Sequence, residues 1–103
     1  MSNMLGKLQE LQEQMAQIQE EIAQMQATGE SGGGVVKATV NGRQRLLKIE
    51  IAKEVIDPNE AEMLEDLVVA AVNRAIERTK ELADGRMGEA ARSMLPPGFP
   101  PII

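Results

Sequence analysis

A heptad repeat of apolar residues near the start of the chain is the feature that most constrains its fold. The residues between them are mostly Gln, Glu and Ala, which favour helix. We predict a helix about 35 Å long, and a stripe that uses two positions in seven is typical of a helix packed along another helix. We name the stripe the seam and interpret it as a homodimer interface; the alternative is that it packs on its own domain. The seam consists of Met4, Leu8, Leu11, Met15, Ile18, Ile22 and Met25.

The size and composition of the chain support association with a second copy. A domain of 103 residues buries only about 60 to 65% of the surface that its unfolded chain exposes. Phe99 is the only aromatic residue, so the core lacks the large rings that usually anchor small domains. There is no cysteine and no apolar run long enough to span a membrane. We therefore expect a soluble, cytoplasmic homodimer without membrane contact.

The middle of the chain predicts a β-hairpin after a glycine-rich segment. Residues 27–34 are rich in glycine and predict a flexible corner that ends the first helix. Asn41-Gly42 then separates two β-prone runs, which indicates a hairpin with a two-residue type I′ turn. That turn predicts the cross-strand pairs Val40–Arg43, Ala38–Arg45 and Val36–Leu47. It also predicts one apolar face, made of Val36, Ala38, Leu47, Ile49 and Ile51.

A second helix is predicted to begin after Asp57, where Pro58 and Glu60 complete a capping box. Its apolar stripe is broader than a coiled-coil seam and suits the cover of a sheet. Asp84-Gly85 is expected to weaken this helix. We predict a single α+β domain over residues 1–95 and an extended, proline-rich tail over residues 96–103.

Basic residues are concentrated in the middle of a chain whose net charge is −5. Residues 34–53 carry five Lys or Arg against one Glu, and such a cluster is suited to nucleic-acid phosphates. Two alternatives stay open: edge strands use Lys and Arg to prevent aggregation, and helix arginines form local ion pairs. The scarcity of aromatic residues argues against base stacking. The candidate DNA-binding residues are Lys37, Arg43, Arg45, Lys48, Arg74 and Arg78.

The residue types needed for catalysis are largely missing. The chain has no histidine and no cysteine, which removes the commonest general base and the thiol nucleophile. The glycine run follows a helix and precedes a strand, which is the wrong context for a phosphate loop. The acidic residues at the start of the second helix spread around it and do not converge on a cation. We predict no enzymatic activity, cofactor, metal or small-molecule substrate.

Several ordered segments together resemble the YbaB/EbfC family of bacterial nucleoid-associated proteins. They are Ile22-Ala23-Gln24-Met25, Thr28-Gly29-Glu30-Ser31-Gly32, Val36-Lys37-Ala38-Thr39-Val40-Asn41-Gly42, Glu62-Met63-Leu64-Glu65-Asp66-Leu67-Val68, Ala70-Ala71-Val72-Asn73 and Leu95-Pro96-Pro97-Gly98-Phe99. The resemblance implies a two-layer α-β-β-β-α fold with three antiparallel strands, the additional one at residues 27–31. It also implies a tweezer-like homodimer that binds double-stranded DNA and organises the nucleoid.

The resemblance leaves open which surface contacts DNA. Family members bind through projecting helices, whereas the first helix here has one lysine against four glutamates. This departure favours the hairpin bases together with Arg74 and Arg78. The alternative function is that of a chaperone-like or protein-interaction clamp without DNA binding.

Overall fold

Two long helices and a three-stranded sheet follow one another in the order α-β-β-β-α in the computed structural model, which describes residues 2–94. The helices are α1 (Ser2–Gln24) and α2 (Ala61–Met94), and the strands are β1 (Gln26–Ser31), β2 (Val36–Asn41) and β3 (Leu46–Ile51). Short 3-10 turns occupy Gly32–Gly34, Lys53–Val55 and Pro58–Glu60. The predicted α+β class and strand number are confirmed. The predicted tail at residues 96–103 lies outside the described residues.

The core lies between the inner face of the sheet and α2. Strand β2 is central in the antiparallel order β1-β2-β3, and its residues Val36, Ala38 and Val40 are fully buried. They meet Ala71 and Ala75 of α2, which are also fully buried. These side chains are small, so the helix lies close to the sheet and the core of a single chain is modest in volume.

Strand β1 forms in the segment whose composition predicted a flexible corner, so that prediction is wrong for residues 27–31 and the implied strand is confirmed. Alternate residues of β1 are buried under α2, and Gly29 pairs with Ala38 of β2. A Cβ atom at Gly29 would lie 2.3 Å from the Ala71 carbonyl oxygen. Gly29 therefore permits close approach of two backbones and does not mark a loop.

The hairpin forms at Asn41-Gly42, but its predicted pairing is wrong. Val36 pairs with Ile51 and Ala38 with Ile49, because the loop has three residues and a β-bulge follows it. The Asn41 N–H donates to the Arg45 carbonyl at 3.0 Å, and Gln44 takes a φ of 65°. This is a type I turn with a left-handed residue at its end.

Gly42 is required for packing and not for a positive φ. A Cβ atom there would lie 1.7 Å from the carbonyl oxygen of Ile22 at the end of α1. The Gly42 N–H also donates to the Met25 carbonyl at 2.9 Å. The bulge leaves Leu47 exposed, so its predicted place on the buried apolar face is also wrong.

Helix α2 begins as predicted and runs further than predicted. The Asp57 carboxylate accepts the Asn59 N–H at 3.0 Å and caps the 3-10 turn that leads into the helix. The helix then continues through Asp84-Gly85 to Met94. Its last turns run antiparallel to α1, where Arg86 forms an ion pair with Glu21 and Ala90 is buried. These contacts with α1 explain why the weak segment stays helical.

Candidate nucleic-acid interface

The outer face of the sheet carries the two candidate lysines together with two glutamates. Lys37 lies between Glu30 and Glu50 on the neighbouring strands, and its Nζ is 3.9 Å from a Glu30 carboxylate oxygen. Lys48 lies 3.0 Å from the Glu50 carboxylate. The hydrogen bond and positive charge of Lys48 hold the pKa of Glu50 below its ordinary value. The charges on this face therefore compensate one another.

The hairpin tip exposes Arg43 and Arg45. The Asn41 side-chain oxygen accepts the backbone N–H groups of Arg43 at 2.9 Å and Arg45 at 3.1 Å, which fixes the direction in which both residues leave the turn. The Arg43 guanidinium lies 3.4 Å from the Glu20 carboxylate, and both side chains are well exposed. An exposed ion pair of this kind is weak. The Arg43 guanidinium can therefore exchange this contact for a phosphate.

Arg74 and Arg78 lie along the edge of β1. One guanidinium N–H of Arg74 donates to the Glu30 carbonyl, and one of Arg78 donates to the Thr28 carbonyl, both at 2.6 Å. Because β1 pairs with β2 on one side only, these bonds satisfy alternate carbonyls at an open edge. A guanidinium has five donors, so each side chain keeps several for another ligand.

A contact that the sequence pattern did not reveal connects the hairpin tip to α2. The Gln44 side-chain amide donates to the Thr79 hydroxyl at 3.1 Å, and Thr79 is almost fully buried. This bond connects the tip to the turn of α2 that also contains Arg78. Four of the six candidate residues thus lie either on the hairpin tip or along the β1 edge. We name them the arginine row: Arg43, Arg45, Arg78 and Arg74.

The seam is divided between buried and exposed parts. Ile18 is only 7% exposed, whereas Met4 is 72% exposed, and Leu8 and Leu11 are exposed as well. Ile18 lies in a crevice between the two helices, opposite Arg86, Ser93 and Met94 of α2. Ile18 therefore packs within its own chain, as the alternative interpretation expects for this residue. The assignment of the seam to a dimer interface stays a prediction, and Met4, Leu8 and Leu11 are the seam residues most exposed in the single chain.

No group of three or more acidic side chains between residues 2 and 94 is arranged to hold a metal ion. Neither of the described helices is long and apolar enough to cross a bilayer.

The fold and the site define a small α+β protein with paired long helices and an exposed row of arginines beside an open sheet. The chain belongs to the YbaB/EbfC DNA-binding family, whose sequence profile matches residues 1–94. The resemblance stated from the sequence is thereby confirmed.

Two relatives are similar over most of their length. A nucleoid-associated protein of Syntrophobacter fumaroxidans is 41% identical over 97 residues, which cover 94% of this chain and 88% of the relative. The nucleoid-associated protein TTE0040 of Caldanaerobacter subterraneus subsp. tengcongensis is 42% identical over 98 residues, which cover 95% of this chain and 88% of the relative.

A solved structure supports the fold. The crystal structure of the uncharacterized protein HP0035 from Helicobacter pylori superposes with a TM-score of 0.68 at 22% identity. The match covers 92% of this chain and 97% of that one.

Proposed function

We propose that this protein binds double-stranded DNA as a homodimer, mainly through phosphate contacts and with weak sequence preference. In this role it contributes to nucleoid organisation and gene regulation, and it resides in the cytoplasm on the nucleoid. Membership of a DNA-binding family and the names of two nucleoid-associated relatives support the ligand class. The observation that carries the proposal is the arginine row, which consists of two exposed arginines on the hairpin tip and two along the β1 edge of a chain whose net charge is −5.

Phosphate is the chemical group that the arginine row fits. A guanidinium offers donors in a planar fork that matches two phosphate oxygens. Arg43 and Arg45 are exposed, and Arg74 and Arg78 each use one guanidinium nitrogen to donate to a β1 carbonyl. Contacts to phosphates fix position and carry little sequence information. The proposed binding is therefore tolerant of sequence.

Lys37 and Lys48 have a smaller part in this proposal. Each has a glutamate partner on the sheet, so a phosphate would compete with Glu30 or Glu50 for the same ammonium group. The net charge of −5 also repels DNA at long range. Binding should therefore depend on local arginine contacts and weaken steeply with salt.

Fluorescence anisotropy with labelled duplexes of unrelated sequence tests the proposal. If a dimer neutralises about six phosphates, the logarithm of the association constant falls with the logarithm of salt at a slope of roughly −5. Similar affinities are expected for all duplexes. No binding at low salt, or a slope near zero, would contradict the proposal and favour a protein-interaction role.

A matched pair of variants locates the contact surface. Arg43→Glu/Arg45→Glu is expected to weaken binding by at least about 10-fold at low salt, since two phosphate contacts per protomer become repulsive. Lys80→Glu/Arg92→Glu changes the charge equally on exposed positions of α2 and should have a clearly smaller effect. Equal losses in both variants would remove the assignment to the arginine row.

A further inference from the structure

The N-terminal end of α1 extends past the end of α2. Arg86 forms an ion pair with Glu21, and Met94 lines the same crevice as Leu11, so the antiparallel helix α2 ends level with Leu11. From Leu11 back to Met4, α1 continues for about 11 Å beyond that level. This end of α1 therefore has no contact with the last turn of α2.

Four large apolar side chains share one side of this end of the helix. At 3.6 residues per turn they fall within an arc of about 120°. The exposed fraction falls from 72% at Met4 to 43% at Leu11, where the crevice with α2 begins. A continuous exposed apolar stripe is typical of a contact surface. We name the four residues the α1 end surface: Met4, Leu5, Leu8 and Leu11.

The residues that follow Met94 begin beside this surface. Residues 95–103 read Leu-Pro-Pro-Gly-Phe-Pro-Pro-Ile-Ile, which contains no charged side chain and the only aromatic residue of the chain, Phe99. An extended proline-rich segment advances about 3.1 Å per residue, so the span from Met94 to Phe99 is up to about 16 Å. This span exceeds the length of the α1 end surface. Phe99 is therefore within reach of all four of its residues.

We propose that residues 95–103 fold back along α1 and cover the α1 end surface, with Leu95 near Leu8 and Phe99 near Met4. The occupant of the exposed part of the seam is then a segment of the same chain and not the helix of a second copy. The proposal is independent of DNA binding.

Direct attachment favours this segment over an occupant from solution. Because residues 95–103 follow Met94 without a linker, their effective concentration at the α1 end surface is on the order of millimolar. Four of the nine residues are prolines, whose fixed φ lowers the conformational entropy that is lost on docking.

The charge of α1 also favours an uncharged occupant. This helix carries four glutamates and one lysine, Lys7. Two copies of α1 packed along their seams would bring these glutamates close together, and like charges at the flanks of a helix pair oppose association. A segment without charge covers the same leucines and avoids this repulsion.

Tryptophan fluorescence of the full chain tests whether the segment is docked. The chain has no tryptophan, so Phe99→Trp introduces a single probe. In this background Leu8→Glu is expected to raise the acrylamide quenching constant by at least about 2-fold, because an apolar segment does not cover a carboxylate. Leu82→Glu is the matched control on an exposed leucine of α2 and should leave the constant unchanged. Circular dichroism checks that both variants are folded.

Cysteine cross-linking identifies the occupant even if Leu8→Glu does not fold. The chain has no cysteine, so Met4→Cys/Phe99→Cys supplies one pair. Mild oxidation should join this pair within one chain, since a disulfide requires Cβ atoms about 4 Å apart. Leu82→Cys/Phe99→Cys should not cross-link, because Leu82 lies about 18 Å before the end of α2, farther than the segment up to Phe99 reaches.

Three results would overturn the proposal. The first is a quenching constant that Leu8→Glu does not change in a folded protein. The second is a disulfide between two chains of Met4→Cys/Phe99→Cys, which would make a second copy the occupant. The third is the absence of any cross-link in that variant, or cross-linking equal to that of the Leu82→Cys/Phe99→Cys control.

Discussion

Arg78 donates a guanidinium N–H to the carbonyl oxygen of Thr28, fifty residues earlier in the chain, at 2.6 Å. Arg74 repeats this contact one helical turn earlier, with Glu30 as the acceptor. Both arginines are candidate DNA-binding residues from the sequence, with local ion pairs on the helix as the alternative. Their contacts give them a structural part as well, because they cover the edge of β1.

The first prediction concerns the stability of that edge. Arg74→Ala/Arg78→Ala removes both donors and should lower the free energy of unfolding by about 2 kcal/mol, since a hydrogen bond from a charged group contributes about 1 kcal/mol when solvent can compete. Urea unfolding measures this loss. Lys80→Ala, at an exposed position of the same helix, should leave the stability nearly unchanged. A double variant as stable as wild type would show that the edge needs no cover.

The second prediction concerns the close approach of β1 and α2. Gly29→Ala should destabilise the protein by about 3 kcal/mol or more, because its Cβ would meet the backbone of α2 at 2.3 Å and the two elements would have to separate. Gly85→Ala is the matched control: no atom lies within 4 Å of the added methyl, and alanine favours the helix. Thermal unfolding should show a gain of up to about 1 kcal/mol for that control. Equal effects would contradict the proposed contact.

The third prediction concerns the titration of Glu50. Lys48 lowers the pKa of this carboxyl, so its contribution to stability is present above the ordinary glutamate pKa of about 4.3 and is lost as pH falls through the lowered value. Carbon-detected NMR titration should give a lower pKa for Glu50 in the wild type than in Lys48→Met. In Lys53→Met, which removes a lysine outside the strand, the pKa should stay at its wild-type value. A pKa unaffected by Lys48→Met would refute the assigned cause.

The fourth prediction concerns the hairpin tip. Asn41→Ala removes the acceptor for two backbone N–H groups and should destabilise the turn by about 1 to 2 kcal/mol. If Arg43 and Arg45 contact phosphates, the disordered tip should also lower DNA affinity several-fold in anisotropy titrations. Asn73→Ala, on an exposed position of α2, should change neither quantity. Unchanged DNA affinity in a destabilised Asn41→Ala protein would exclude the tip as a contact.

The sequence predicted those elements whose residue pattern is contained within the element itself. The apolar period predicted α1, Asp57 and Pro58 predicted the start of α2, and Asn41-Gly42 predicted the position of the hairpin. The local residue pattern was insufficient where contact with a distant part of the backbone determines the conformation. Thr28-Gly29 has the composition of a turn, and its strand conformation depends on the contact of Gly29 with α2.

The hairpin register and the seam show the same limit. Asn41-Gly42 predicted a two-residue turn, but the loop has three residues. Gly42 is needed there because it contacts the end of α1. The period of the seam predicted a helix partner without indicating which helix, and α2 of the same chain covers Ile18. The positions of the residues in the arginine row depend on the contact of Gln44 with Thr79 and on the hydrogen bonds to the β1 carbonyls. Neither kind of contact has a local sequence signature.

The spacing of Arg74 and Arg78 has a geometric consequence for the whole fold. Four residues of helix advance about 6 Å, and two residues of strand advance about 6.6 Å. The spacing of side chains one turn apart on α2 therefore matches the spacing of alternate carbonyl groups on β1. A slip of the helix by a single residue would break both bonds at once. The two arginines therefore fix the axial position of α2 on the sheet.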